Sequence, residues 1–254
     1  MDILVCCKVV PDEQDVVVAA DGTLSFERAA LKIGDYDLNA IEAGAQLAAA
    51  YEAKLTCITA GGDLSDDSKM RKSILSRGPE ELVIHKNEAL AQAKSAFTAQ
   101  ALKAVVEKIE NYDLILCGEG SADLYARQVG IQLGELLGIP TVNAVSSIEI
   151  DGSVAKIERS LEDQVEVLEI PLPAVLSVVA DMNTPRIPSM KEILSAGKKP
   201  VTVYTSDDIG FTAPAEAIET LSTLAPKQKD RACVIFEGDD EETIRNFIAS
   251  LELQ

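Results

Sequence analysis

LILCGEGSADLYARQVGIQLGELLGIP, residues 114–140, is the stretch on which the fold turns, because it reads as a buried strand, a glycine turn and a helix in succession. Leu114, Ile115, Leu116 and Cys117 form a short apolar run that stops at Gly118 and Gly120, and beyond them Ala126, Val129, Leu133 and Leu136 recur at helical spacing. Gly138 followed by Pro140 ends that helix. In α/β proteins such a junction frees backbone N–H groups beside the positive end of a helix dipole, and these hold a phosphate without any basic side chain.

What the turn lacks narrows its meaning. A dinucleotide fingerprint requires a third glycine at position 123, where this chain has Asp123, and a Walker loop requires Gly-Lys-Ser/Thr, which is absent. A more general adenine-nucleotide pocket survives. So does a purely structural reading, in which Gly130, Gly134 and Gly138, four residues apart on one helix face, only allow close helix packing.

Composition sets the outer bounds. A chain of 254 residues that is 47% hydrophobic can bury a full core, as one large α/β domain or a domain with an appendage. Twenty-three basic against 42 acidic residues give a net charge of −19, which argues against nucleic acid and against anionic membrane surfaces. The first residues lack the basic flank and apolar run of a signal peptide, and no stretch approaches the length of a transmembrane helix, so a cytoplasmic location is expected. Of five cysteines, Cys6, Cys7, Cys57 and Cys117 sit in apolar runs and are expected as buried reduced thiols. His85 is the only histidine and ends an apolar run, so metal chemistry and a Ser-His triad are disfavoured.

Strands alternate with helices along the chain, implying a mainly parallel sheet with helices on both faces. Residues 3–7, 55–60, 82–84, 114–117 and 175–179 read as strands buried on both sides, and residues 37–51, 66–76, 91–109 and 126–137 as helices. Around residues 154–170 the pattern changes to alternation, suggesting an antiparallel pair at the sheet edge. Lys198-Lys-Pro200 closes an adenine-nucleotide-binding domain of residues 1–200. Residues 201–254, with the basic run from Lys227 to Arg231 and a helix over 239–253, then form an arm expected to dock on another subunit.

Three further loops follow strand ends, where open α/β sheets bind ligands. Lys8 follows the first strand and could offset phosphate charge or simply be solvated; Gly61 and Gly62 follow the second and let a ligand approach the backbone. Asp37, in Gly34-Asp-Tyr-Asp-Leu-Asn39, reads first as a helix cap. Ala60-Gly-Gly-Asp-Leu-Ser65 is only weakly similar to the pyrophosphatase loop of ATP-cleaving enzymes, whose leading serine it lacks. A stand-alone ATP-binding protein of the universal-stress type is the competing class. Its glycine spacing is missed by one residue here, and Ile131 replaces its hydroxyl residue. A third reading is a structural subunit with an empty pocket.

Taken together, Ile3-Leu-Val-Cys-Cys-Lys-Val-Val-Pro11, Gly34 to Glu42, Gly118 to Gly130, and Arg159-Ser-Leu-Glu-Asp163 through Pro173-Ala-Val175 to Pro185-Arg-Ile-Pro-Ser-Met-Lys-Glu-Ile-Leu194 with Lys198-Lys-Pro200 resemble the β subunit of electron transfer flavoproteins, within it the FixA-like branch, over nearly the whole length. The resemblance implies a Rossmann-like α/β fold with a mostly parallel sheet, flanking helices and an extended C-terminal arm. It implies a heterodimer with a FixB-like α subunit that carries FAD. In ordinary members the β-subunit pocket holds AMP, and in bifurcating members a second FAD facing NADH.

By the same resemblance, the nucleotide positions are Cys6, Lys8, Gly34, Asp35, Tyr36, Asp37, Asn39, Gly61 and Gly62. They continue through Gly118, Glu119, Gly120, Ser121, Asp123, Leu124, Tyr125, Ala126, Arg127, Gln128 and Val129. Glu166 matches a residue that reaches toward the α-subunit flavin. Met190 matches the apolar anchor of a docking loop that also includes Pro185, Arg186, Ser189, Ile193 and Leu194. Many members carry acidic, Asn or Thr side chains after the aspartate, where this chain has Leu124-Tyr-Ala-Arg127; here Tyr125 and Arg127 could stack on a ring or pair with a phosphate. The FixA-like pattern points to FAD in this pocket and to bifurcation from NADH to ferredoxin and to an acyl-CoA dehydrogenase or a FixC-like quinone-linked partner.

Overall fold

The computed structural model describes residues 1–214, 218–227 and 233–251; the basic run after Lys227 and the end of the expected final helix lie outside them. The strands, in chain order, are β1 (Asp2–Cys6), β2 (Val9–Pro11), β3 (Val17–Val18), β4 (Leu24–Ser25), β5 (Leu31–Ile33), β6 (Lys54–Gly61) and β7 (Glu81–Lys86). They continue as β8 (Leu114–Gly118), β9 (Thr141–Asp151), β10 (Val154–Ser160), β11 (Val165–Pro171), β12 (Ala174–Val178) and β13 (Val201–Tyr204). The helices are α1 (Asp35–Tyr51), α2 (Ser68–Leu75), α3 (Ser95–Ile109), α4 (Val129–Leu137), α5 (Met190–Ala196) and α6 (Glu241–Ser250).

Nine strands form one sheet in the order β11-β10-β9-β12-β8-β1-β6-β7-β13. Neighbours from β9 to β13 are parallel, and β10 runs antiparallel to both β9 and β11, which makes the alternating segment an antiparallel edge as its pattern predicts. The central strands are apolar on both sides because both sheet faces are covered. Ile3, Val5, Leu55, Leu114 and Leu116 face one layer with Ile41 of α1 and Ile74 of α2. Leu4, Ile58, Ile115 and Val175 face the other with Leu102 and Val105 of α3 and Leu133 of α4. The fold is therefore α/β with a large, mostly parallel sheet, consistent with a Rossmann-like arrangement.

From β1 the chain moves outward through β6 and β7, then returns to place β8 on the other side of β1. The order of winding reverses between β1 and β8, and helices leave on opposite faces there, opening a crevice at the strands' carboxyl ends.

Helix starts differ from the sequence expectation for a shared reason, local turn chemistry. Gly34 is the N-cap of α1, so Asp37 lies inside its first turn and does not cap it. Asp67 caps α2, its carboxylate accepting the Lys69 and Met70 N–H groups, after a 3₁₀ turn over Asp63–Asp66. A 3₁₀ turn over Glu88–Leu90 delays α3 to Ser95, and α4 starts at Val129, not Ala126. The sheet also draws its ninth strand from beyond residue 200: β13 pairs with β7, and Phe211 packs on Phe97 and edge-on to His85.

Candidate functional site

The carboxyl ends of β1 and β8 open into a cleft holding about 870 Å3 of empty space, its mouth open to solvent included. Cys6, Cys7 and Cys117 line it at the strand ends, with Gly118 to Ser121 and Ala126 to Gly130 on the β8 side and Leu90, Ser95, Thr98 and Leu102 on the α3 side. Most of this lining is small or apolar, as in pockets that bury a ring system and fix it with few polar groups.

Glycine makes the junction possible at two points. A Cβ on Gly118 would lie 2.7 Å from the Tyr36 carbonyl carbon, so β8 can meet the start of α1 only without a side chain. A Cβ on Gly130 would stand 2.3 Å from Ser177 Oγ, and one on Gly134 2.6 Å from Thr141 Cβ, so α4 lies unusually close to the sheet. The packing reading of the glycine spacing therefore holds for these two, while Gly138, at φ +68°, ends the helix in the left-handed conformation. Both readings of residues 114–140 describe the same device, since close packing carries the start of α4 into the cleft, where Gln128, Val129 and Gly130 line it.

That start is uncapped. Gln128, the N-cap residue, makes no side-chain hydrogen bond to the first turn, which leaves donors and the positive end of the helix dipole aimed at the cleft. Between β8 and α4 the chain does not run directly from turn to helix. Residues 121–128 form an irregular loop in which Tyr125 and Arg127 adopt positive φ, which is why the periodicity from Ala126 does not continue a helix backward.

The cations near the cleft are engaged within it. Lys8 is not free in solvent: its Nζ donates to Asp123 Oδ2 at 2.6 Å. Burial works against the charge on Asp123, yet the Lys8 ammonium and the Ser121 hydroxyl hold its carboxyl below the usual range. Arg127 lies 3.4 Å from Glu119 and 5.6 Å over the Tyr125 ring, which in turn packs 5.0 Å from Tyr36. Asp37 is the exception among the acids. Its Oδ2 accepts the Lys8 backbone N–H at 2.8 Å, but burial pushes its carboxyl up to about 7. The thiols are inert by the same physics. A hydrogen bond with Cys117 and burial push the Cys6 thiol well above its ordinary range, and Cys57, 3.1 Å from Cys7, does the same to Cys7.

Of the expected nucleotide positions, the fold gathers Cys6, Lys8, Asp37, Gly118, Glu119, Gly120, Ser121, Leu124, Ala126, Arg127, Gln128 and Val129 around the cleft, with Asp123 joined through Lys8. Others are engaged elsewhere. Asp35 pairs with Lys32 at 2.9 Å, and Gly34 caps α1. Asn39 is buried and donates to the carbonyls of Ala180 and Asn183. Gly61 and Gly62 abut Ser65 and the Glu88 and Ala91 side chains. Sequence reasoning missed the α3 wall and Ala60, which come from segments with no glycine signal, as well as Cys7 and Cys117, which stood inside quoted motifs.

In the expected docking loop, Ile187 is 94% exposed just ahead of a short helix started by a Ser189–Glu192 capping box, and Met190 and Leu194 on that helix are each 71% exposed. Arg186 is bound inward, its guanidinium meeting Glu42 at 2.6 and 3.0 Å. Glu166 lies on the outer edge strand β11, 3.5 Å from Arg159 and four strands from β8.

A family model described as the electron transfer flavoprotein domain matches residues 22–209. The chain belongs to that family. The match begins before β4 and runs through α1, β8, the loop to α4, α5 and β13, so it spans most of the cleft and the exposed segment around Met190. Among the described residues no helix is long and apolar enough to cross a membrane, and no group of three or more His, Cys, Asp or Glu side chains is placed to hold a metal ion.

Proposed function

We propose that this chain is the β subunit of an electron transfer flavoprotein of the FixA-like branch, and that its cleft holds the adenine nucleotide of an FAD. The observation that carries this reading is the uncapped start of α4 at the crevice where the sheet reverses its winding. With Lys8 tied to Asp123 and Arg127 to Glu119, phosphate is left to backbone N–H groups and the helix dipole. The half-exposed Tyr125 and Arg127 at the cleft support a ligand that continues past the adenosine. A bound flavin supplies the electron chemistry, and the protein supplies position and surroundings.

On this reading NADH reduces the flavin of this subunit. One electron then passes to ferredoxin and the other, through the FAD of the α subunit, to an acyl-CoA dehydrogenase or quinone-linked partner. The exposed apolar residues of the C-terminal arm, such as Leu221, Ile235 and Phe247, support docking on the α subunit. The exposed segment around Met190 supports docking on the dehydrogenase.

Counting nucleotides released by heat from the purified heterodimer tests the reading. Two FAD per heterodimer are expected. One FAD with one AMP makes this a non-bifurcating β subunit, and no nucleotide beyond the α-subunit flavin removes the site itself.

A further inference from the structure

A second groove lies between α2 and the segment 187–193. One side is a single face of α2 and its C-terminal turn, where Ser68, Lys69, Lys72, Ser73, Ser76 and Arg77 recur at helical spacing; the other is apolar, formed by Ile187, Pro188 and Ile193.

Its three cations stand together on one face of α2 and its C-terminal turn. Elsewhere among the described residues several cations sit against acids, as in Lys8–Asp123, Lys32–Asp35, Lys54–Glu81, Lys86–Asp63 and Arg186–Glu42, and others, such as Lys156 and Lys198, stand singly in solvent. Among the described residues, Lys69, Lys72 and Arg77 have no carboxylate within 4.0 Å, in a chain with 42 acidic residues to choose from. Asp67 at the head of α2 is occupied by backbone N–H groups, and Glu192 by Ser189.

Arg77 sharpens the point. Its guanidinium is half-buried, with Nη1 donating to the Ser73 carbonyl at 2.6 Å and hydroxyl at 2.8 Å, while the buried Nε has no partner among the described residues. Burial lowers its pKa, and among the described residues no carboxylate stands within 4.0 Å to offset this. A guanidinium held half out of water without a counter-charge weakens the free protein, and an anion supplied from outside would relieve that cost.

We propose that this groove receives carboxylates of the partner protein that covers Ile187, Met190 and Leu194. The proposal rests on the functional reading above, in which that segment docks on a dehydrogenase, and it adds that the partner's docking face is acidic around an apolar socket. The occupant is a protein, not a free anion, because the apolar wall of the groove continues into Ile187, Met190 and Leu194, which a small anion would leave in water. For a chain of net charge −19, such a patch also fixes where an acidic partner can approach.

Hexaglutamate and inorganic pyrophosphate, titrated by calorimetry into the purified heterodimer at low salt, test the groove. Hexaglutamate is expected to bind, and to bind roughly tenfold more weakly to K69Q/K72Q, which alters only exposed helix positions, and to R77Q. R77Q should unfold at the wild-type temperature or slightly above it. Hexaglutamate binding that is absent, or equal in K69Q/K72Q, overturns the proposal; pyrophosphate binding more tightly than hexaglutamate overturns it in favour of a free phosphate ligand. Flavin counted in the same preparations separates the two readings. Two FAD without hexaglutamate binding sinks only the groove, and binding without flavin in this subunit sinks only the functional reading.

Discussion

Asp37 holds a carboxyl that titrates near neutrality although a backbone N–H and the Lys8 side chain both favour its charge. Burial outweighs them, and the nearby Asp123 carboxylate adds to it. The sign follows from linkage. A carboxyl whose folded pKa is raised to about 7 binds its proton more tightly when folded, so the molecule loses stability as pH rises from the unfolded value of 3.8 to about 7. Asp37→Asn removes that loss while keeping an acceptor for the Lys8 N–H. Its stability advantage should grow by about 2 to 3 kcal/mol between pH 5 and pH 8, read from urea midpoints at the two pH values; an advantage independent of pH would show that the carboxyl is ionised throughout. Gly130 makes the packing argument at the same scale. Gly130→Ala drives a Cβ into Ser177 Oγ and should cost about 1–3 kcal/mol. Most of that should return in the double variant with Ser177→Ala, and simple additivity in thermal unfolding would mean the close approach of α4 is not what the glycine serves. The glycine motif was legible in the sequence. The carboxyl's titration was not, because it depends first on burial that only the assembled fold creates.

At the scale of elements, strands were easier to read than helix starts. β1, β6, β8 and β12 are mostly apolar and buried along most of their length because both of their faces are covered. Helix starts shifted wherever a 3₁₀ turn or a left-handed residue intervened, since apolar periodicity runs through such turns without marking them. Polar residues on α1 were harder still. Asn39 and Glu42 sit at helical spacing like any solvated pair, yet they grip the far segment, Asn39 through Ala180 and Asn183 and Glu42 through Arg186. No local pattern encodes partners more than 140 positions away. This double grip anchors the base of the exposed segment carrying Ile187 and Met190. Arg186→Ala leaves the buried Glu42 carboxylate unpaired and should cost about 1–3 kcal/mol, discounted because the arginine is partly in water. E42M/R186M should recover part of the loss. If the double variant is as unstable as the sum of its parts in urea, the pair contributes no coupling.

The largest question concerns where the folded unit ends. Composition placed a boundary at Pro200, but β13 lies beyond it and pairs with β7 through Val201 to Tyr204. Ser206 lies 3.0 Å from His85 Nε2, and Phe211 packs on Phe97 and His85. Burial lowers the pKa of His85, so the ring stays neutral near pH 7 and needs that hydroxyl as its partner. Beyond Phe211 the described arm contributes little to the core: α6 has no buried residue, and the arm's contacts with the body include a bridge from Leu224 to Thr23, a bond from Ala225 to Gly22 and a bond from the Lys94 ammonium to the Ile218 carbonyl. Two truncations therefore separate folding from assembly. A chain ending at Ala213 keeps β13 and the aromatic cluster, so it should unfold within about 2 °C of the full chain, since removed contacts at exposed positions cost little. A chain ending at Pro200 bares the edge of β7 and strips His85 of its partner, and should lose roughly 3 kcal/mol or more. Size-exclusion chromatography with the α subunit completes the test. The chain ending at Ala213 is expected to fold yet fail to form the heterodimer, because the apolar side chains proposed to dock are gone. A stable heterodimer from that chain would place the interface on the body of the protein, and a fully stable chain ending at Pro200 would mean β13 is a passenger on the sheet.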